Sequence, residues 1–221
     1  TCANGSTQRE YIDRDEAASP TASIDSIILT GVMDAKELRD VMTVDVPNAF
    51  VQTDVDQSGD RIIMKIRGVL VDMLIEMEPE RYRDYVVMHG NQKVLYVRML
   101  KALYGMLIAS ILYYKKFVAD IKTIGFVLNP YDPCVANRMI KGKQHTITWH
   151  VDDIKSSHND PKVNDEFLKW LEKTYGEDGI GKVKTTRGKR HDYLAMILDY
   201  STPGVLKLDM KEYIKIAIHS F

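Results

Sequence analysis

Three aspartates stand where carboxylates could do chemistry together. Asp45 closes the alternating run Val41-Met42-Thr43-Val44-Asp45-Val46, and Asp152 and Asp153 sit side by side after Thr146-Ile147-Thr148-Trp149-His150-Val151. Each has an ordinary reading alone, because aspartate is a favoured turn residue and the chain holds 31 acidic residues. Brought together, three carboxylates repel one another, and the arrangement persists when cations neutralise it. Mg²⁺ is the natural occupant: it takes oxygen ligands, keeps several waters and shares its shell with substrate phosphates. Two such ions about 3.5–4 Å apart stabilise the attacking and leaving oxygens of phosphoryl transfer. A nucleic-acid polymerase and a metal-dependent nuclease both meet that description.

The elements that must position these groups follow from pattern and punctuation. A strand over 41–46 puts Met42, Val44 and Val46 on one face and Val41, Thr43 and Asp45 on the other, and Pro47 stops it. Val135–Ile140 and Thr146–Val151 read as a hairpin through Lys141-Gly142-Lys143. A second turn, at Asp152-Asp153, returns the chain into Ile154-Lys155-Ser156-Ser157. The spacing of Leu107, Ile111, Tyr114, Val118 and Ile121 predicts a helix over 107–124, closed by Gly125. A second helix is predicted from Asp165 to Tyr175, with Asn164 as its cap and Gly176 at its end. A last hairpin pairs Tyr193–Leu198 with Val205–Met210 around Ser201-Thr202-Pro203-Gly204 and leads into a helical tail, Lys211–Phe221, whereas residues 1–22 read as polar loop. Strands and helices mix without strict βαβ alternation, which predicts an α+β fold.

Composition removes other classes. At 221 residues the chain has room for one sizeable domain or two small ones, and 45% hydrophobic with 28% charged residues is a globular composition. Cys2 and Cys134 are the only cysteines, too few for a disulfide scaffold or a thiolate zinc site. The longest uncharged apolar run, Ala102 to Tyr114, is too short to span a bilayer. The first residues hold no apolar run and no initiator Met, and read as a cut end rather than a signal peptide. A formal net charge of −1 conceals an asymmetry: residues 10–80 carry 16 acidic against 6 basic residues, and residues 81–143 carry 11 basic against 3 acidic. That division suits either a solvated basic face or a phosphate-facing groove opposite an acidic cluster. The histidines His89, His145, His158 and His219 have no metal-ligand spacing and are expected at the surface.

The order of segments points further. Asp45-Val46-Pro47-Asn48-Ala49-Phe50, then Lys101-Ala102-Leu103-Tyr104-Gly105, then His150-Val151-Asp152-Asp153, resembles the reverse transcriptase of copia-type LTR retrotransposons. Asn129–Cys134 resembles the stretch before the catalytic hairpin, and His191-Asp192-Tyr193-Leu194-Ala195-Met196 resembles the later segment near the primer grip. His150 stands where the family has Tyr, and Met106–Ser110 replaces a more polar continuation.

The resemblance implies a polymerase palm, an antiparallel sheet with helices packed on one face, with partial fingers and no thumb. It divides the chain into 1–40 (partial fingers), 41–60 (first catalytic strand of the palm), 61–100 (fingers) and 101–221 (palm, ending near the thumb connection). The remaining fingers motif is expected before Thr1, with thumb and RNase H regions beyond Phe221. Asp45 and Asp152 would bind two Mg²⁺ ions, with Mn²⁺ as a substitute, Asp153 in support and the Val46 carbonyl as an extra ligand. Backbone N–H groups over Val46, Pro47, Asn48, Ala49 and Phe50 would cradle the triphosphate, and Phe50 would exclude a 2′-hydroxyl. Tyr104, Gly105, His150, Lys101, Lys115 and Lys116 would meet template or primer. The implied partners are an RNA or DNA template with its primer, deoxynucleoside triphosphates, and the RNase H and integrase parts of a polyprotein, in a cytoplasmic virus-like particle and with no membrane. Two alternatives stay open. One is a truncated or degenerate remnant that binds nucleic acid without catalysis, and the other is a two-metal nuclease.

Overall fold

The structure is a computed structural model that describes residues 3–13, 17–55, 61–176 and 181–219. Cys2, the expected boundary at residue 60 and the last two residues of the expected C-terminal helix lie outside these. In chain order the elements are α1 (Ile24–Lys36), β1 (Asp40–Asp45), β2 (Ile63–Arg67), α2 (Val69–Met77), α3 (Pro79–Tyr82), β3 (Val87–His89), β4 (Gln92–Arg98), α4 (Ala109–Thr123), β5 (Val127–Leu128), β6 (Val135–Ile140), β7 (Lys143–His150), β8 (Asp153–His158), α5 (Pro161–Tyr175), β9 (Lys184–Arg187), β10 (Arg190–Tyr193), β11 (Met196–Asp199), β12 (Lys207–Asp209) and α6 (Lys211–His219). The fold is α+β, and every sheet is antiparallel. The chain forms two compact units, residues 18–49 with 113–221 and residues 1–17 with 50–112. These bounds differ from the divisions at 40, 60 and 100 expected from the sequence; residues 18–40 cluster with the larger unit. Among the described residues no helix is long and apolar enough to cross a membrane.

In the larger unit a six-stranded sheet runs β5-β6-β7-β8-β1-β9. β1 lies inside it, between β8 and β9, and Val41, Met42, Thr43 and Val44 are all buried. The alternation read in the sequence is present as geometry, but both faces are covered, as interior strands allow. The face of Met42, Val44, Ile147, Trp149 and Ile154 packs on α5 and on residues 113–123 of α4, where Phe117 meets the Trp149 ring edge-on at 5.2 Å. The other face carries Thr43, Asp45, Thr148, Asp153 and Lys155. It is covered by α1, through the buried ion pair of Lys155 with Asp34, and by β10, through His191 against the Thr43 hydroxyl at 3.3 Å. Helices therefore lie on both faces, not on one as expected.

Helix α1 had a weak signal in the sequence because its amphipathicity is mixed. Its buried side joins Ile27 and Ala35 to Thr30, Gly31 and Asp34, while Ile24, Leu29 and Val32 face outward. The Ser23 hydroxyl caps it by accepting from the Ser26 N–H at 3.1 Å, and the Ser23 N–H is itself held by the Asp132 carboxylate.

Helix α5 begins four residues before the sequence places it. Asp160 accepts from the Lys162 N–H at 3.0 Å and Pro161 opens the helix, a favoured first position. Asn164 is thus not the cap but a buried residue, bonded to Ser156 and Asp40.

β10, β11 and β12 form a separate sheet. Tyr193 ends β10 opposite Met196, so it is not continuous with Leu198 as expected. The turn between them uses Leu194 and Ala195, both at positive φ (53 and 61). Neither is a residue that advertises such a turn.

The smaller unit has the sheet β2-β4-β3, with α2 tied to one face by the Lys93–Asp72 pair at 2.6 Å. Val55, Ala102, Met106 and Ala109 form a buried cluster against which Phe50 and Leu103 pack. A short 3₁₀ segment, Ser6–Glu10, is stitched to it by Ala3 N–H on the Tyr104 carbonyl (2.7 Å) and Leu107 N–H on the Gln8 side chain (2.8 Å). Gly5 is required there, since a Cβ would sit 2.4 Å from the Gly105 carbonyl oxygen.

Candidate active site

The end of β1 meets the start of β8. Asp45, the last residue of β1, lies directly opposite Asp153, the first residue of β8, and on its other side opposite Lys184 of β9. His150 closes β7 opposite Asp153, so the turn between β7 and β8 consists of Val151 and Asp152. The sequence placed this turn one residue later, at Asp152-Asp153. The shift matters because a strand position fixes the face: Asp153 stands beside Asp45, on the face that also holds Lys155. The Val46 N–H donates to the Asp152 carbonyl at 3.1 Å and locks the turn to the end of β1.

The turn is strained. Val151 has φ 56, in the left-handed region that ordinarily takes glycine. A β-branched residue there is an outlier, and outliers of this kind cost about 1–3 kcal/mol and cluster at functional sites. Val151→Gly is accordingly expected to raise stability by about 1 kcal/mol net of the entropy glycine adds to the unfolded chain. Urea denaturation would show this as a higher midpoint, and an unchanged or lower midpoint would remove the strain argument.

Burial, first, and then the negative charges of Asp152 and Asp45 push the Asp153 carboxyl above the ordinary carboxylate range. His150 opposes this and Asp192 of β10 adds to it. The folded protein therefore binds the Asp153 proton more tightly than the unfolded chain does. The ionised form costs stability as pH rises from the ordinary aspartate range through the raised value. Asp153→Asn is expected to raise the denaturation midpoint at pH 7 and to lose that advantage near pH 3. An equal gain at both pH values would mean that charge is not the cause.

Asp45 is 45% exposed, and its Oδ2 is 3.6 Å from the Lys184 Nζ, which is 81% exposed. A pair this open contributes at most about 1 kcal/mol, so Lys184 leaves Asp45 available to a stronger cation. Among the described residues no three His, Cys, Asp or Glu side chains form a ready-made metal cage. Mg²⁺ needs none, because it is commonly held by one or two carboxylates together with substrate phosphates. The hard oxygens of Asp45 and Asp152 at a half-exposed strand end fit that mode.

The other expected residues divide between the two units. In the larger one, Val46 is buried with its N–H already committed and Pro47 has none, so the amide cradle expected over Val46–Phe50 loses its first two donors. Asn48 takes a positive φ of 48, and Ala49 starts a 3₁₀ turn. Lys116 is half-buried, pairing with Asp120 at 2.6 Å and lying over the Tyr175 ring at 4.6 Å, so it braces α4 against α5 rather than facing a ligand. Lys115 is exposed and His150 half-buried. In the smaller unit Phe50 packs on Tyr104 with ring centroids 4.5 Å apart, Tyr104 and Gly105 are exposed, and Lys101 makes a surface pair with Asp54 at 2.8 Å.

Lys184 and Asp192 were missed by sequence reasoning. Asp192 lay inside a segment singled out without a role of its own, and Lys184 carried no local signal.

Two histidines contradict their expected surface position. His145 and His158 are buried. Arg138 donates to His145 Nδ1 at 3.0 Å, which makes the other ring nitrogen, 2.8 Å from the Ser156 hydroxyl, the donor. Ser156 in turn donates to Asn164, and Asn164 to Asp40. The chain has the outline of a serine–histidine pair, but burial pushes the His145 pKa down to about 2 and no substrate reaches it. It is a packing network. Cys134 is likewise inert, buried with its thiol pushed up to about 12.

No protein-family model matches the sequence, and no match was found among curated proteins. Solved structures that are similar include apo telomerase from Candida tropicalis (TM-score 0.47, 11% identity, covering 92% of this chain and 39% of that one). A form of it truncated of its C-terminal domain gives 0.46 and 11%, covering 92% and 43%. Telomerase from Candida albicans in complex with a fragment of telomeric RNA gives 0.44 and 13%, covering 92% and 37%. This chain thus spans less than half the length of those proteins. Likeness at this level bears no weight, and the functional argument rests on the strand-end geometry.

Proposed function

We propose that the larger unit is the palm of a template-directed nucleotidyltransferase, an RNA-directed DNA polymerase of the reverse-transcriptase type, and that the smaller unit contributes fingers. The observation that carries this reading is the in-register apposition of Asp45 and Asp153, with Asp152 beside them in a strained turn and with burial and like charges raising Asp153. A purely structural cluster would be expected to pair its acids. Asp45 has only an open, solvent-screened pair with Lys184 among the described ion pairs, at 3.6 Å, which leaves its oxygens to a stronger cation.

In this reading Asp45 and Asp152 hold two Mg²⁺ ions, with the Val46 carbonyl as a further oxygen and Asp153 supporting from the adjacent strand. When bound, the ions supply charge neutralisation to the attacking and leaving oxygens. The reaction is in-line attack of a primer 3′-hydroxyl on the α-phosphate of a deoxynucleotide, with pyrophosphate leaving, and no protein nucleophile is needed. The sequence motif assigns the triphosphate to the segment that follows Pro47 and the discrimination against a 2′-hydroxyl to Phe50. Origin in a copia-type retrotransposon polyprotein, with RNase H and integrase parts as neighbours, belongs to the same proposal and rests on the sequence motifs.

The test is primer extension on an RNA template with deoxynucleotides and Mg²⁺, using this chain and a longer one extended at both ends. Extension by either supports the reading. Failure of both, with folded protein, favours the second reading, a remnant that binds nucleic acid without catalysis. One observation leans that way: the Val46 N–H is committed to the Asp152 carbonyl and Pro47 has none, so the expected amide cradle is short of two donors. Cleavage of the template strand without extension would indicate a nuclease instead.

A further inference from the structure

Helix α2 of the smaller unit turns most of its apolar side chains outward. Seven of the nine residues from Val69 to Met77 are large and apolar, yet Val71 alone is buried. Leu74 and Ile75, on the same side as Val71, are half-buried. Val69, Leu70, Met73 and Met77 are from 48% to 75% exposed. Val69, Met73 and Met77 repeat every fourth residue and form one stripe, and Asp72 and Glu76 repeat likewise and run beside it. From Val69 to Glu80 the chain holds four acidic residues and no basic one. Asp72 and Glu78 have exposed partners, Lys93 at 2.6 Å and Arg81 at 3.1 Å, in open pairs that contribute little. Among the described residues Glu76 has no ion-pair partner. It also lies in the last turn, where the helix dipole favours a cation and no residue is basic.

We propose that α2 is a docking surface for a basic amphipathic helix of a partner protein. The partner's apolar stripe packs on Val69, Met73 and Met77, and its lysines or arginines meet Asp72, Glu76 and Glu78. Two features of α2 work against the stability of this chain alone: apolar area left in water, and anions at the negative end of a helix. A partner that brings apolar area and positive charge together offsets both. A convex ridge with an i, i+4 repeat suits a second helix laid along it, and unbranched methionines adapt to the side chains they meet. The same acids repel phosphate backbones and anionic lipid headgroups. A second copy of this chain fits the charge poorly. Its own exposed amphipathic helix, α6, sets Lys211 and Lys215 against Glu212, which pairs with Lys215 at 2.7 Å. The inference requires no catalysis and stands apart from the polymerase reading.

Isothermal titration of the full chain with a synthetic leucine–lysine peptide of about 18 residues, which forms about five turns of amphipathic helix, tests it. Binding is expected, and it should weaken as salt is added. Met73→Gln is expected to weaken it about tenfold. Glu76→Gln is expected to weaken it several-fold while raising the melting temperature by about 2 °C, because it removes an anion from the helix C-terminus. A loss of affinity beside a gain in stability is not what damage to the fold produces. A peptide of the same composition in scrambled order keeps the charge and loses the stripe, and should bind at least about tenfold more weakly. Equal binding of the scrambled peptide, or unchanged affinity in both variants, overturns the proposal. So does a concentration-dependent dimer, seen by light scattering, that Met73→Gln dissolves and the peptide does not displace; that result would give the face to a second copy.

Discussion

Asp45→Asn and Asp152→Asn are each expected to lower primer extension by about 10²–10³-fold or more, without loss of folded protein. The amide keeps the shape of the carboxylate but cannot neutralise a divalent cation, so the developing charge on the reacting phosphate loses its stabilisation. Removing a single preorganised electrostatic partner typically costs that much. Stability should move the other way. Asp45 is half exposed and its pairing with Lys184 is weak, so deleting its charge removes repulsion with Asp153 and forfeits little. A denaturation midpoint that is equal or higher beside an activity that has collapsed is the signature of residues kept for function at the expense of stability. In the proposed reading Asp153 would support rather than hold the ions, so Asp153→Asn should cost activity less. Extension within twofold of the unmodified chain in Asp45→Asn would sink the assignment.

The second large effect is structural. Lys155→Ala is expected to destabilise the protein by about 3–5 kcal/mol, a large part of the roughly 5–15 kcal/mol that holds a domain together. The Lys155 side chain is 1% exposed and that of Asp34 is fully buried. Without Lys155 the Asp34 charge is left to the longer contact with Arg39, at 3.8 Å, and to the nearby Tyr200 hydroxyl, and Arg39 is already engaged with Glu37 and Thr146. A double replacement, Lys155→Met with Asp34→Leu, should recover most of the loss, because the penalty lies in the stranded charge rather than in the absent pair. Urea denaturation of the single and double variants decides it, and a single-variant loss under 1 kcal/mol would show that the pair is dispensable. The pair also bears on the site. Lys155 lies two residues along β8 from Asp153 on the same face, so it anchors α1 under the strand that presents the carboxylates.

Much of the local structure was legible from residue types. β6 starts and ends where the sequence put it and Lys141 and Gly142 both take positive φ, but the turn is those two residues alone: Lys143, read as its third, already opens β7 opposite Ile140, three residues before the strand start expected at Thr146. α4 spans Ala109–Thr123 within the predicted 107–124, because its apolar spacing and Gly125 are strong local signals. The aspartates' meeting was readable only as a condition, that the two strands be neighbours.

The rest depended on contacts distant in sequence. Turn position at Val151-Asp152 is set by the ladder of β8 on β1 and by the Val46–Asp152 hydrogen bond, which together impose a conformation valine does not prefer. α1 was faint because its buried side mixes Ile27 and Ala35 with Thr30, Gly31 and Asp34, the last held there by Lys155. His145, His158 and Lys155 read as surface residues by type, yet each lies inside a sheet covered on both faces. The sequence by itself determined which residues form strands, where most turns fall and which three carboxylates were candidates, since those follow from periodicity and turn chemistry within a few residues. Only the tertiary structure decided which strand ends adjoin, which polar groups are buried and which partner each charge receives. Register and burial are properties of paired surfaces, and no single segment carries both surfaces.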